Sequence, residues 1–520
     1  MMRPLLQRHS WVLGFSLAFG LLLQGCVTNP VTGQRELGYI SSQAEVRIGA
    51  EQYAPAQQMQ GGAYQTDAQL SAYVNQVGQK LARASGVDLP YEFVVLNSSV
   101  PNAWALPGGK IAVNRGLLTA LRNESELAAV LGHEVAHAAA RHGAKRVERG
   151  MLSQGVLLGV AIFSAGSEYA KEVIGGAQQV TTLINQKYSR NAEREADYYG
   201  TQFMVKAGYD PYGAVTLQET FVRLSGSQQT DWLQGLFASH PASTERLANN
   251  RMLIKRLRSE GATGGVLGQP AYARAMASLV ESQDAFDAFD EATVMYGQGD
   301  YDGALGRIAS AISQKNNEAV FHGLRGAIRY KQARFADAVT NFDRAIARDN
   351  DYFFFYLNRG LAFSQNNEAA RAKADLMHSI RLLPTAPAYQ GLGELAEAEG
   401  DVARAKEFYA QAGQGGGAEA QAARNSLVRL DLPTQPAKYL QASVVRTEQN
   451  QLVMRLRNRT NTAVRNVVVS VEYTTATGVR TVRLSVPKLA ANGVVNQRLE
   501  LDPTTIERIQ AYAVAASIGG

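Results

Sequence analysis

"NESELAAVLGHEVAHAAARH" occupies Asn123–His142. It places His133 and His137 four residues apart, with Glu134 directly after the first. Positions i and i+4 share one face of a helix, so both imidazoles can meet a single ion. Neutral imidazole suits Zn²⁺, and three protein ligands leave a fourth position for water. Bound Zn²⁺ lowers the pKa of that water from about 15.7 toward 7. Glu134 points about 100° around the helix from His133, toward the water rather than the metal. There it can take the water's proton and pass it to a leaving amine. The competing reading is an alanine-rich surface helix with two solvated histidines. Ala129, Val130, Leu131, Val135, Ala136 and Ala138–Ala140 argue against it, because they make the helix apolar on most sides. Histidines and a glutamate buried in such a helix need partners. Asn123 is a good N-cap and Glu126 follows three later, a capping-box arrangement. His142, nine residues past His133, falls on roughly the opposite face and is assigned a structural or exposed role.

A third ligand is expected downstream. "NAEREAD" (Asn191–Asp197) offers Glu193, Glu195 and Asp197. On a helix Glu193 and Asp197 share a face while Glu195 turns away; spacing does not choose between the first two. The H-E-x-x-H motif with the later E-x-x-x-D, inside "SRNAEREAD", resembles the gluzincin metallopeptidases that include the CAAX prenyl protease and HtpX-type families. "NAWALPGGKIAVNRGLL" (Asn102–Leu118) and "SHPASTERL" (Ser239–Leu247) extend the match. Together with the leader and repeats described below, the layout is similar to the BepA-like periplasmic proteases, over Asn29 to about Leu257. This resemblance implies a zinc endopeptidase with one Zn²⁺ per chain. It makes Glu193 the third ligand and Asp197 an acceptor that orients a ligand histidine. His240 becomes a fourth ligand that shuts the site, rather than a loop histidine before Pro241. Arg246 would pair with the acidic cluster or steady the tetrahedral oxyanion. Ile111, Ala112, Val113 and Asn114 would form an edge strand that takes substrate by strand addition. The clients implied are misassembled outer-membrane proteins or their assembly machinery.

The chain has 520 residues, 46% hydrophobic and 19% charged. That length suggests two to four domains. The net charge is +6. Residues 1–25 carry only Arg3 and Arg8, so the remainder is at +4. Basic residues read as scattered among acids, and no nucleic-acid partner is implied. The single cysteine, Cys26, excludes an intrachain disulfide. "MMRPLLQRHSWVLGFSLAFGLLLQGC" has a basic start and an apolar run, Trp11–Leu23, too short for a comfortable span. It reads as a secretory signal. Leu23-Gln24-Gly25-Cys26 resembles the bacterial lipobox, so Cys26 is expected to be acylated and to tether the body to a membrane. Val27 is not the aspartate linked to inner-membrane retention. The expected location is therefore the periplasmic face of the outer membrane of a Gram-negative cell.

The organisation expected along the chain is multidomain. Residues 1–25 are a signal and 26–41 a spacer. Residues 42–260 form an α-rich zincin-type peptidase domain with a small β-sheet. Its strands are read at Tyr91–Ser99 and Gly108–Asn114. Residues 261–283 form a linker that starts with "GATGGVLGQP". Residues 284–428 form an α-helical tetratricopeptide-repeat solenoid. Ala304, Ala338 and Ala372 are 34 apart and Ala405 follows at 33, each with Ala292, Gly326, Gly360 or Gly393 twelve before it. Such repeats suit the recruitment of protein clients. Residues 436–520 alternate with period two and read as a small all-β immunoglobulin-like sandwich. Gly150–Tyr169 is apolar and Gly-rich; it reads as a packed helical hairpin, or alternatively as a mobile or membrane-dipping lid. Two rivals to the peptidase stand. One is a scaffold or chaperone whose metal site is latent. The other is a zinc-stabilised structural protein, disfavoured because closed structural sites seldom set a glutamate beside the first histidine.

Overall fold

The computed structural model describes residues 26–153, 187–225, 240, 244–262 and 264–518. The leader and most of the apolar Gly150–Tyr169 stretch lie outside the described residues. The chain divides into two compact units, Met1–Ala362 and Phe363–Gly520. No described helix is long and apolar enough to cross a membrane.

The first unit opens with a short antiparallel pair, β1 (Cys26–Thr28) and β2 (Arg35–Leu37). Helices α1 (Ser42–Gln58) and α2 (Ala68–Ser85) follow. Then come β3 (Glu92–Leu96), β4 (Ala103–Leu106) and β5 (Lys110–Asn114). Helix α3 (Glu124–Ala139) carries the two histidines. Asn123 caps it: its side chain accepts from the Glu126 amide at 2.9 Å. Glu126 does not close the box; it accepts from the Arg122 amide at 2.8 Å, one residue earlier. Helix α3 is buried on almost every side, packed on α2, α5 (Arg190–Lys206) and α6 (Tyr212–Ser225). Ser189 caps α5 by accepting from the Ala192 amide at 3.2 Å. Helix α4 (His142–Ser153) comes between, and α7 (Thr244–Ser259) ends the peptidase part.

The small sheet has the order β3-β5-β4. β5 is parallel to β3 and antiparallel to β4, and every residue from Lys110 to Asn114 is paired on at least one side and buried. Ile111–Asn114 is therefore the central strand, not the edge expected, and the outer strands are β3 and β4. The Pro107–Gly109 turn, with Gly108 at φ 75, folds β4 back onto β5. That turn brings a short, wholly buried strand to the outside of the sheet.

The expected linker is also partly structured. Gln269–Glu281 forms helix α8, which buries Tyr272, Met276 and Leu279. The Tyr272 hydroxyl donates to the Leu118 carbonyl at 2.6 Å. Only the glycine-rich part before it is irregular, because Pro270 can start a helix at its first turn but cannot continue one.

Helical pairs follow. α9 (Gln283–Gln298) packs on α10 (Tyr301–Gln314), and α11 (Ala319–Lys331) on α12 (Phe335–Ile346). Next are α13 (Phe353–Gln365), α14 (Ala369–Leu382), α15 (Ala386–Ala398), α16 (Val402–Ala412) and α17 (Gly417–Asp431). The periodic alanines 304, 338, 372 and 405 are fully buried. A Cβ on Gly326 would meet the Phe342 ring at 2.8 Å, and one on Gly393 the Tyr409 ring at 2.5 Å. Small residues on one helix thus make room for an aromatic on its partner.

The second unit ends in two three-stranded sheets. One has the order β10-β7-β6, the other β11-β8-β9. Their ranges are β6 Leu440–Arg446, β7 Leu452–Asn458, β8 Val464–Thr475, β9 Gly478–Leu489, β10 Val494–Arg498 and β11 Arg508–Ile518. Leu452, Met454, Leu456, Val467, Val469 and Val471 join one hydrophobic cluster between them. These are small, open sheets.

Candidate metal centre

His133 and His137 project from one face of α3. Glu193 reaches them from the first turn of α5, and His240 from the segment before α7. All four residues are buried, and one nitrogen or oxygen from each lies within 4.8 Å of the others. The Nε2 atoms of His133 and His137 are 3.0 Å apart. His240 Nδ1 is 3.2 Å from His133 Nε2 and 3.1 Å from Glu193 Oε1. Glu193 Oε1 is 3.3 Å from His137 Nε2. Metal bonds of about 2.0–2.1 Å in tetrahedral geometry place neighbouring ligand atoms about 3.3 Å apart. The residues present therefore fit one small divalent cation.

Helix α5 can bring Glu193 in because α3 and α5 cross at glycines. A Cβ on Gly200 would lie 2.9 Å from the Gly132 carbonyl carbon and oxygen. Nothing larger than hydrogen fits at that crossing.

The electrostatics are consistent with a shared cation. Burial disfavours a charged His133, yet Asp197 and Glu193 outweigh it and hold the ring up to about 10. Burial drives His137 well below its ordinary value, with Glu193 opposing. Burial acts to raise Glu193, but the neighbouring His240 charge and bonds from three histidines hold it well below the carboxylate range. Among the described residues, Glu134 Oε2 is buried without a hydrogen-bond partner. Glu134 Oε1 lies 3.5 Å from His240 Nε2. A cavity of about 40 Å³ opens beside Glu134, lined by Ala103, Val130, Met204 and Phe221 among others.

Residues 68–253 match the sequence model of peptidase family M48. They form an M48 peptidase domain. The mitochondrial metalloendopeptidase OMA1 of Schizosaccharomyces pombe is 29% identical over 245 residues, 46% of this chain and 71% of that protein. The beta-barrel assembly-enhancing protease of Yersinia pestis is 25% identical over 335 residues, 59% of this chain and 68% of that one. The metalloprotease YcaL of Escherichia coli K12 is 32% identical over 176 residues, 33% of this chain and 66% of that one. The Escherichia coli K12 beta-barrel assembly-enhancing protease is matched over only 40% of its length, at 29% identity. Among solved structures, a crystal structure of MamA aligns with 33% of this chain and 95% of that chain, at 17% identity and a TM-score of 0.24.

Around these four candidate ligands, Asp197 Oδ1 lies 3.0 Å from His133 Nδ1. Arg246 donates to both Asp197 oxygens, Nε to Oδ2 at 2.8 Å and Nη2 to Oδ1 at 2.7 Å. Its Nη1 is 3.1 Å from Glu193 Oε2. Of the two readings of Arg246, the structure places it on the acidic cluster, with all three nitrogens engaged there.

His142 is not on the far side of the M48 domain's metal helix. Helix α3 ends at Ala139, and Arg141 takes φ 61, so the nine-residue wheel does not run through to His142. His142 Nδ1 comes within 2.8 Å of His137 Nδ1, while its Nε2 is 3.6 Å from Glu195 Oε1. Glu195, which turns away from the cluster as expected, accepts from Asn29 Nδ2 at 3.1 Å. Tyr188 was not singled out in the sequence. Its ring stacks on His137 at 3.8 Å, and its hydroxyl lies 3.4 Å from the Ala105 carbonyl on the β4 edge. The signal for it was its position just before "SRNAEREAD", but nothing in spacing marks a stacking ring.

Proposed function

We propose that the chain is a zinc endopeptidase of the cell envelope. The carrying observation is the convergence of His133, His137, Glu193 and His240 beside a Glu134 whose Oε2 lacks a hydrogen-bond partner among the described residues. When bound, Zn²⁺ supplies polarisation of the scissile carbonyl and a water whose pKa falls from about 15.7 to about 7. Extended substrate backbone pairs with the outer edge of β4, on the side where the Ala105 carbonyl now meets the Tyr188 hydroxyl. Glu134 accepts the proton of the attacking water and delivers it to the departing amine. Asp197 orients His133, and Arg246 holds Asp197 and Glu193 in place. His240 occupies a position that catalytic sites leave to water, so it has to withdraw for turnover.

In this reading residues 42–260 cut. The helical pairs across 284–428 select protein clients, among them outer-membrane proteins under assembly, a role supported by the name of the assembly-enhancing relatives. Acylated Cys26 would hold the chain at the outer membrane, and 436–520 would be an immunoglobulin-like accessory domain. The closed ligand set also favours a second reading, a scaffold whose metal site stays latent.

Glu134→Gln separates these. It is expected to keep its metal by elemental analysis and to lose about 10²–10⁴-fold in hydrolysis of an unfolded protein. Undiminished hydrolysis would remove the mechanism. His240→Ala is expected to raise the rate; a rate that stays at zero in it, with metal bound, favours the scaffold.

A further inference from the structure

Residues 436–520 contain 11 Lys and Arg against 5 Asp and Glu. Their surplus of six equals the net charge of the whole chain, +6, so the preceding residues balance. Basic residues are spread along the whole chain, as expected, but the excess over acids lies here, and three of these arginines share one surface.

That surface is the outer side of the β10-β7-β6 sheet. Along β7, Leu452, Met454 and Leu456 point into the hydrophobic cluster, so Arg455 and Arg457 point out. Register places Asn496 and Ser443 opposite Arg455, and Val494 and Gln441 opposite Arg457. Arg498 of β10 stands opposite Val453, which faces the same way. The three arginines are exposed, and no two stand directly opposite each other. The other six places on this side hold Gln, Ser, Asn and three valines, with no acid among them. Val445 and Val494 are each 43% exposed beside the arginines. Among the described residues, none of the three arginines has an ion-pair partner.

We propose that this face docks on an anionic lipid surface. An uncompensated row of guanidinium groups seeks phosphate, and Arg holds its charge at any physiological pH. Two features select a lipid leaflet over other polyanions. The face is one side of a three-stranded sheet, with Arg455, Arg457 and Arg498 spread along two strands rather than gathered about one point that could enclose a single phosphate. It also carries valines and no aromatic ring, so it lacks the stacking platform that single-stranded nucleic acid uses. Valine beside arginine suits the boundary between headgroup and acyl chain.

The test is co-sedimentation of the full chain with phosphatidylcholine vesicles, with and without phosphatidylglycerol. Each arginine near an anionic leaflet is worth roughly fivefold in partition, so three give on the order of 100-fold. The triple change Arg455→Gln, Arg457→Gln, Arg498→Gln is expected to remove most of the preference for the anionic vesicles. The triple change to Lys is expected to retain it. Raising the salt to about 1 M, where the screening length is about 3 Å, is expected to abolish it. Any binding by the leader is common to all variants and cancels between them. Hydrolysis of a soluble peptide, unchanged in every variant, reports that the fold is intact. The proposal is overturned if the Gln variant binds anionic vesicles like the wild type, or if Lys fails as Gln does. It is equally overturned if an oligonucleotide or an acidic protein displaces the chain from vesicles through these same arginines.

Discussion

At the residue scale the metal site is a set of lone pairs held in place by a second ring of side chains. Arg246 clamps Asp197, Asp197 meets His133, and His142 meets His137. Partners of this kind typically change metal affinity 10–100-fold when removed. His142→Ala is therefore expected to weaken metal binding by about 10–100-fold while leaving the protein folded. Competition against a chelator of known affinity measures it, and an unchanged constant would release His142 from the assignment. His133, Glu134 and His137 were legible because a helix converts a spacing of four into a shared face. Glu193 and Asp197 also share a face, so spacing left them equivalent. What separates them is packing: Glu193 enters the ligand set, while Arg246 and His133 take up Asp197. His142 was illegible for another reason. A single left-handed residue, Arg141, ended the helix on which its position had been projected.

At the scale of elements, the α3–α5 crossing sets how far Glu193 reaches. Gly200→Ala drives a methyl into the Gly132 backbone, and overpacking of this sort costs about 1–3 kcal/mol. The expected result is a lower melting temperature together with weaker metal binding. Gly306→Ala is the control: in the middle of α10 nothing lies within 4 Å of the new methyl. It is expected to stabilise by about 0.5–1 kcal/mol. If both changes act alike, the crossing is not the constraint. A different element carries an acid sensitivity. His322 on α11 is buried, its Nε2 2.9 Å from the Asn316 carbonyl. Burial lowers it from 6.5 to about 4. The unfolded chain then binds the extra proton between those values, so stability falls as pH drops from 6.5 to about 4, by at most about 3 kcal/mol. Urea titrations across that window on wild type and His322→Asn check it: the wild type should show the steeper decline. The sheet was only half legible. Its two longer strands carry β-branched residues at regular places, but β4 is four residues with no alternation, all buried. The edge assignment of Ile111–Asn114 came with the family resemblance, and no pattern in the sequence marked β4 as the strand outside it.

For the whole molecule, the repeat was legible from alanines 34 apart because close helix packing tolerates little else at those places. The charge imbalance was not, because a whole-chain total hides where the surplus sits. The metal residues all fall in the unit Met1–Ala362. A ligand present at about 1,000 times its dissociation constant adds about 4 kcal/mol to the state that binds it. Chelation is thus expected to lower the calorimetric transition of that unit and to leave the transition of Phe363–Gly520 in place; equal shifts of both would assign the metal to the entire chain. The four candidate ligands also come from separate segments of the polypeptide, with His240 107 positions after His133. A fragment that stops short of Glu193 lacks the third ligand that catalysis needs, and His240, which fills the remaining position, follows 47 positions later. During synthesis the three ligands needed for cutting are therefore complete only once Glu193 has emerged, and the residue that closes over them arrives soon afterwards from the same chain.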